Sequence, residues 1–287
     1  MAGQRMMFHA CGLADPLSGA TVAFIAPSGT GKTTVARTLG PGLGYVSDET
    51  IAVGPDLGII SYPKPLSVKQ PEPGRPKLQQ GPDHHVLGVT PPAPVLAAIT
   101  ILSRTPHDAG APADAVSVSA SVEDVPLAQA IVELTPQLSA LARLDRGLVQ
   151  LCTMVQACGG VKRIRYSEAA SIAPLLPQLV RPVEAGTPAQ WMALETTPES
   201  ANARAGMRRT PVQDAIDADG TVLLLIDSQV LELGPLGALV WEFASDWTTR
   251  EAILGKVIEV IGGHPSADAL IDEALAELLF RGVLENA

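Results

Sequence analysis

Residues 26–34 have the types and spacing of a loop that binds phosphate groups. The run reads Ala-Pro-Ser-Gly-Thr-Gly-Lys-Thr-Thr and follows an apolar stretch at 21–25. In loops of this kind, backbone amides surround the phosphates, the Lys reaches the β- and γ-phosphates, and the next hydroxyl binds Mg²⁺. The pattern therefore predicts a bound nucleoside triphosphate with Mg²⁺. The residues predicted to bind it are Ser28, Gly29, Thr30, Gly31, Lys32, Thr33 and Thr34.

The residues on either side of this loop favour the same interpretation. The apolar stretch before it is typical of a strand, and residues 34–39 can begin a helix whose N-terminal dipole faces the phosphates. Ala26 stands where the motif has its first Gly, while Gly29 and Gly31 remain to relieve crowding of the backbone. The alternative is a Gly-rich turn that precedes a Lys by chance. The predicted order of strand, loop and helix disfavours this alternative.

Two acids follow at a spacing that is short for a phosphate-loop protein. Asp48 and Glu49 come directly after the strand-like residues 44–46. A βαβ unit would place the carboxyl end of this strand beside the loop, within reach of Mg²⁺ and the γ-phosphate. The alternative is a solvated loop after a strand.

The elements around these residues predict an α/β domain over residues 1–182. The first 60 residues alternate strand-like runs with a helix, which is the βαβ signal of a parallel sheet. A proline-rich stretch at 63–94 excludes long helices and suits an active-site loop. Further elements are predicted as a strand at 95–102, helices between 127 and 158, a strand at 161–166 and a short helix at 169–179.

The N-terminal part of the chain resembles HPr kinase/phosphorylase and the small HPr-kinase-like proteins. The resemblance covers about residues 6–180 and rests on four features. These are His9 before the first strand, the phosphate loop, Asp48-Glu49 where the family has Asp-Asp, and the proline-rich residues 62–69. It implies an ATP- and Mg²⁺-dependent kinase. The family's long signature segment for the phosphorylase direction is not found, and Glu49 replaces its second Asp.

The resemblance also implies a role for each matching residue. Lys32 would neutralise the β- and γ-phosphates, Thr33 and Asp48 would bind Mg²⁺, and Asp48 or Glu49 would accept the proton of the attacking hydroxyl. His9 would orient the two acids. A sparse set of basic residues in the proline-rich stretch could bind phosphates or an acidic peptide, or could serve solubility, and Lys69 is predicted to bind nucleotide. The set is Lys64, Lys69, Arg75 and Lys77.

A second domain is predicted over residues 208–287, after a polar linker at 183–207. A turn at Asp219-Gly220, a hairpin at 221–233 and three helices give a small α+β, winged-helix-like fold. This part resembles the PqqD-like domains that bind leader peptides of ribosomally made, modified peptides. In that family a leader adds a strand to the hairpin edge. A DNA-binding domain of similar fold is disfavoured because residues 210–287 contain few basic residues, namely Arg250, Lys256 and Arg281.

Composition restricts the class of protein. The 287 residues carry a net charge of −10 and only 3% aromatic residues, which disfavours nucleic-acid binding. Cys11, Cys152 and Cys158 lack zinc-site spacing and predict free or buried thiols. His84 and His85 suggest no assignable site. No signal-peptide or membrane-spanning run is present, so a soluble cytoplasmic protein is predicted, and a homo-oligomer is left open.

The two resemblances together predict a kinase that phosphorylates a Ser or Thr of a precursor peptide bound through its leader. Two other functions stay open. One is a nucleotide-gated binding or scaffold protein without phosphoryl transfer, and the other is a kinase of a small-molecule alcohol.

Overall fold

The computed structural model describes residues 5–70, 72, 74–105, 119–180, 190–197 and 205–287. The chain divides into two compact units. The first comprises Met1–Leu144 and Gln150–Ala189, and the second comprises Asp145–Val149 and Gln190–Ala287. Within these described ranges, no helix has the length and apolar character that a bilayer span needs.

The first unit combines strands with short helices. Its strands are β1 (Met6–Phe8), β2 (Ala10–Ala14), β3 (Ala20–Ile25), β4 (Gly44–Ser47), β5 (Ile51–Val53), β6 (Ile59–Ile60), β7 (Leu66–Val68), β8 (Leu78–Gln80), β9 (Val95–Arg104), β10 (Ser121–Val125), β11 (Leu138–Ser139) and β12 (Val161–Tyr166). Its helices are α1 (Lys32–Leu39), α2 (Leu127–Leu134), α3 (Gly147–Ala157, which begins in the second unit) and α4 (Leu176–Leu179). Short 3-10 turns lie at Pro82–His85, Thr135–Gln137, Leu141–Arg143 and Ala169–Leu175.

The central sheet has the strand order β10-β12-β9-β3-β2-β4. Strands β3, β9 and β12 are parallel, while β2 runs antiparallel to both of its neighbours, β3 and β4. β3 is almost completely buried, as its run of apolar and β-branched residues predicts for a strand covered on both faces. A smaller sheet has the order β11-β1-β5-β6.

The prediction of a simple βαβ unit is therefore wrong in one respect. α1 does connect β3 to β4, but β2 lies between these two strands, so the sheet is mixed rather than parallel. Because β2 is antiparallel to both, β3 and β4 still run in the same direction. Their carboxyl ends, which precede the phosphate loop and Asp48, consequently meet at the same edge of the sheet.

The proline-rich stretch contains a hairpin rather than an irregular loop. β7 and β8 pair antiparallel, with Val68 opposite Leu78. The described part of 63–94 holds no α-helix, as its proline content predicts, and a 3-10 turn follows at Pro82–His85.

The second unit combines an antiparallel sheet with three helices. Its strands are β13 (Trp191–Ala193), β14 (Met207–Arg209), β15 (Asp214–Ala218), β16 (Thr221–Ile226), β17 (Gln229–Leu233) and β18 (Leu284–Asn286). Its helices are α5 (Pro235–Phe243), α6 (Arg250–Ile261) and α7 (Ala267–Phe280). The sheet order is β13-β15-β16-β17, and β14 pairs with β18.

The predicted linker and hairpin need correction in this unit. β13 lies inside the predicted linker 183–207 but pairs with β15, so these residues belong to the sheet. The predicted hairpin is extended by β15, which joins β16 through Asp219 and Gly220, both with positive φ as a tight hairpin turn requires. The start of α6 is capped by a side chain. Thr249 is the N-cap, and its hydroxyl accepts from the amide of Ala252 at 3.3 Å.

Asp214 is a buried carboxylate that forms several polar contacts within the second unit. Its side chain is fully buried and forms an ion pair with Arg146 at 2.8 Å. The same carboxylate accepts from the amides of Leu148 at 2.8 Å and Val149 at 3.1 Å. A carboxylate at this place satisfies the free amides at the start of α3.

We expect Asp214→Ala to destabilise the second unit by about 3 kcal/mol, because the substitution leaves a guanidinium and two amides without their acceptor. Denaturant unfolding followed by tryptophan fluorescence measures this unit selectively, since Trp191, Trp241 and Trp247 all belong to it. Glu259→Ala, an exposed change on α6, is the control and should shift stability little. Equal stability of the two variants would contradict the role given to Asp214.

Candidate nucleotide-binding site

The phosphate loop joins β3 to α1 and adopts a backbone conformation that favours glycine. Gly29 has φ +88° and Gly31 has φ +106°, a region that side chains with a Cβ rarely enter. Thr30 closes the loop, since its amide and hydroxyl donate to the carbonyl of Pro27 at 3.4 and 2.6 Å. α1 begins directly after Gly31, so its N-terminus faces the loop, as anion binding requires.

Ala26, the departure from the motif, has a structural explanation. Its side chain is 1% exposed and belongs to the apolar core around Phe24 and Val35. Its φ is not positive, so a Cβ is tolerated there. Its contribution to the loop is the carbonyl, which accepts a hydrogen bond from Lys32.

Lys32 is held inside the loop. It is 7% exposed, and Nζ donates to the carbonyl of Ala26 and to that of Pro27 at 3.3 Å. Burial is the main cause that lowers its pKa, and Asp48 opposes this effect. The ammonium group thus lies beside the backbone of the predicted phosphate loop.

Asp48 meets the hydroxyl that follows Lys32. Thr33 Oγ1 donates to Asp48 Oδ2 at 3.2 Å, and the carboxylate is 5% exposed. The sequence predicts this pair as Mg²⁺ ligands, and the fold does bring the two side chains together. Across the described ranges, no cluster of three His, Cys, Asp or Glu residues has the arrangement of a metal site. A Mg²⁺ ion at this pair would therefore take further oxygens from phosphates and water, which is how Mg²⁺ usually binds.

Glu49 has a different partner from Asp48. Its side chain is 48% exposed and forms an ion pair with Lys64 from the proline-rich stretch. The buried hydroxyl of Ser47 accepts from the amides of Glu49 at 3.3 Å and Thr50 at 3.2 Å and so shapes the turn after β4. The two adjacent acids thus have different partners and different exposure.

Tyr45 is a site residue that sequence reasoning missed. Its hydroxyl hydrogen is shared between Asp48 Oδ1 at 3.3 Å and the carbonyl of Lys64 at 3.0 Å. Burial raises the pKa of this hydroxyl, so it stays a donor at neutral pH. One signal in the sequence pointed to it, namely its place on the strand that leads to Asp48.

His9 lies in the same cleft without contacting the acids. Burial, followed by Lys32 and Lys64, lowers its pKa, so the imidazole is neutral at pH 7. In the part of the chain that the structure describes, its ring makes no hydrogen bond to Asp48 or Glu49, and the predicted orienting role stays a prediction. His84 and His85 lie in the 3-10 turn, outside the lining of the cleft.

A cleft of about 360 Å³ opens over the loop. All predicted site residues except Thr30 line it, because the Thr30 side chain turns back to Pro27. Arg37 and Arg104 are additional lining residues. Arg37 lies one helical turn after Thr33, and Arg104 ends β9, whose direction matches that of β3, so both positions follow from the fold rather than from a motif. The lining residues are His9, Ser28, Gly29, Gly31, Lys32, Thr33, Thr34, Arg37, Asp48, Glu49, Lys64, Ser67, Val68, Lys69, Lys77 and Arg104.

The second unit has a groove of its own, of about 260 Å³. It lies beside β17, the edge strand of the sheet, and between the start of α5 and α7. Its floor includes Gly237, which leaves space because a Cβ there would be 4.0 Å from both Leu233 and Leu278. The groove is lined by Leu231, Glu232, Leu233, Gly234, Pro235, Leu236, Gly237, Leu270, Glu273, Ala274, Glu277, Leu278 and Arg281.

Comparison with known proteins gives little further information. No protein-family model matches the chain, and no curated protein does. Among solved structures, the chain is similar to the HPr(Ser) kinase/phosphatase from Coxiella burnetii, with 13% identity over 61% of this chain and 93% of that one, at a TM-score of 0.25. At that score the similarity carries no functional inference.

Proposed function

We propose that this chain is an ATP- and Mg²⁺-dependent kinase that phosphorylates a Ser or Thr hydroxyl of a ribosomally made precursor peptide. The observation that carries the proposal is that the buried Lys32 and the hydrogen-bonded Thr33–Asp48 pair lie at one phosphate loop. A buried ammonium and an acid-hydroxyl pair at such a loop are the parts that phosphoryl transfer uses. The resemblance to HPr-kinase-like proteins supports the choice of a kinase.

The two acids would have different roles in phosphoryl transfer. The acceptor oxygen forms a bond to the γ-phosphorus of ATP, the bond from that phosphorus to the bridging oxygen breaks, and ADP leaves. Mg²⁺ held by Thr33 and Asp48 would offset phosphate charge. Both Asp48 oxygens already accept hydrogen bonds, so the exposed Glu49 is the better placed of the two to take the proton of the acceptor hydroxyl.

The groove of the second unit supports a peptide as substrate. In the sheet formed by the described residues, β17 is an edge strand, and one side of its backbone has no partner strand there, so a strand could be added on that side. The adjoining groove offers apolar side chains such as Leu231, Leu236 and Leu278 to alternate residues of that strand. This is the mode of binding that the resemblance to PqqD-like domains implies for a leader peptide.

Binding of the leader would raise the concentration of the acceptor at the kinase cleft without any new contact there. The proposal places the protein in the cytoplasm, where ATP and new peptides occur together. The homo-oligomer stays a prediction.

Mass spectrometry of candidate precursor peptides incubated with the protein, ATP and Mg²⁺ tests the proposal. The best candidates are peptides encoded by a neighbouring short reading frame with a Ser or Thr near its end. We expect the mass of one phosphoryl group on such a residue. Tight nucleotide binding together with unmodified peptides would favour the gated scaffold instead.

A further inference from the structure

Cations without a carboxylate partner concentrate at the kinase cleft. Arg37, Lys69 and Lys77 line it and are exposed, and within the described ranges none of them pairs with an Asp or Glu. By contrast, Lys64 pairs with Glu49, and Arg104 lies 3.6 Å from Glu168. Acids outnumber Lys and Arg by 30 to 20 in this chain, so three cations without a carboxylate partner in one cleft are not explained by a shortage of acids.

Two of these cations lie at the same end of a hairpin. The β7–β8 ladder ends at the pair Val68 and Leu78, and Lys69 and Lys77 are the next residues on the two arms. Like charges placed opposite each other on paired strands destabilise the pairing. A bound anion between or beside these ammonium groups would remove that cost.

The nucleotide accounts for only part of this positive charge. ATP with Mg²⁺ carries about two net negative charges. Lys32 lies in the loop, and Lys69 Nζ is 3.9 Å from the place where a Cβ on Gly29 would be, so these two cations can balance the nucleotide. Lys77 and Arg37 then remain, and after the negative charge of Asp48 is counted, one positive charge in the cleft is left without a counter-charge. We call Arg37 and Lys77 the acceptor clamp.

The clamp lies where an acceptor must approach. Lys77 is near enough to Lys32 to contribute to the lowered pKa of Lys32, after the larger effect of burial. Lys32 would contact the β- and γ-phosphates, and Lys77 lines the same cleft, so Lys77 would border the path by which the attacking hydroxyl arrives. Arg37 borders the same cleft from α1.

We infer, resting on the proposed function, that the acceptor Ser or Thr is flanked by carboxylate groups that the clamp residues Arg37 and Lys77 bind. A guanidinium and an ammonium suit this task, because carboxylates form their strongest hydrogen bonds with charged donors. The carboxylate can come from a neighbouring Asp or Glu or from the end of the peptide chain.

Short serine peptides at millimolar concentration, used with the full-length protein, ATP and Mg²⁺, test this inference. One peptide has Asp on both sides of the Ser and a blocked carboxyl end. A second has Gly on both sides of the Ser and ends, directly after the second Gly, in a free carboxyl group. A third has Gly on both sides of the Ser and a blocked carboxyl end. A fourth has Lys on both sides of the Ser and a blocked carboxyl end. Radiolabelled phosphate incorporation gives kcat/KM for each peptide. Preference for the first or the second peptide distinguishes the two sources of the carboxylate.

We expect an acidic peptide to exceed the neutral peptide by about 10-fold in kcat/KM, and the Lys peptide to be the poorest substrate. Lys77→Glu should abolish this preference and improve the Lys peptide, while Arg143→Glu, an exposed change outside the cleft, should keep it. Equal rates for acidic and neutral peptides, or the same loss in both variants, would overturn the inference alone. No phosphorylation of any peptide by a protein that still binds nucleotide would overturn the proposed function as well.

Discussion

Asp48→Asn is expected to reduce phosphoryl transfer by about 10³-fold while the fold persists. Asparagine has nearly the same shape. Its carbonyl oxygen can accept from one of the hydroxyls of Thr33 and Tyr45, which lie 3.2 and 3.3 Å from the carboxylate, and its NH2 group can donate to the other hydroxyl oxygen. It lacks the negative charge that binds Mg²⁺ beside the loop. The rate of peptide phosphorylation measures the loss, and nucleotide binding with thermal unfolding checks that the protein is intact.

Substitution of the two acids of the site should change different kinetic parameters. Asp48→Asn should raise the Mg²⁺ concentration needed for half-maximal rate. Glu49→Gln should lower kcat and alter its pH dependence with little change in the Mg²⁺ requirement, because Glu49 lies apart from Thr33 and pairs with Lys64. Asp83→Asn, on the 3-10 turn outside the cleft, is the control. If both site variants changed only the Mg²⁺ requirement, the division of roles would be wrong.

Gly237→Leu is expected to reduce kcat/KM for a full precursor peptide by about 10²-fold, because the added side chain fills the groove that would bind the leader. Gly237 lies on the floor of that groove, and its helical backbone accepts a side chain without strain. The rate with short leaderless peptides should not change. Enzyme assays with the two kinds of peptide, together with direct measurement of leader binding, give the comparison.

Gly255→Leu provides a matched control for this change. Gly255 lies on α6, where a Cβ would have no neighbour within 4 Å, and the gain in helix propensity is the same as at Gly237. We expect this variant to behave as the unmodified protein. Equal rates of the two glycine variants on the precursor peptide would show that the groove does not bind the leader.

The fold was predictable from the sequence where local signals were strong. β9 and β16 follow from apolar runs between turn residues, β12 from alternating apolar and charged residues, and α6 and α7 from capping residues and apolar spacing. β2 was not predictable, because its residues Ala10–Ala14 show no alternation and it is placed by long-range pairing between β3 and β4. Gly12 fits there because Ile51 comes within 2.9 Å of where its Cβ would lie, a contact that no local pattern reveals.

The site was predictable to the extent that it follows a motif. The predicted loop residues other than Thr30 line the cleft, and so does Asp48. Arg104, which lines the cleft, and Tyr45, which is buried and hydrogen-bonds Asp48, could not be chosen from the sequence, because their positions depend on tertiary contacts. The different surroundings of Asp48 and Glu49 also depend on tertiary contacts, since the partner of Glu49 comes from the proline-rich stretch.

Transfer of labelled phosphate from ATP tests the central proposal most directly. The protein is incubated with Mg²⁺, a precursor peptide and ATP whose γ-phosphate carries ¹⁸O, and the peptide is fragmented in a mass spectrometer. We predict a Ser or Thr phosphate that carries the labelled oxygens, absent with Asp48→Asn. Label found only in unreacted ATP or in inorganic phosphate, with the peptide bound but unmodified, would contradict the proposal that this chain is a peptide kinase.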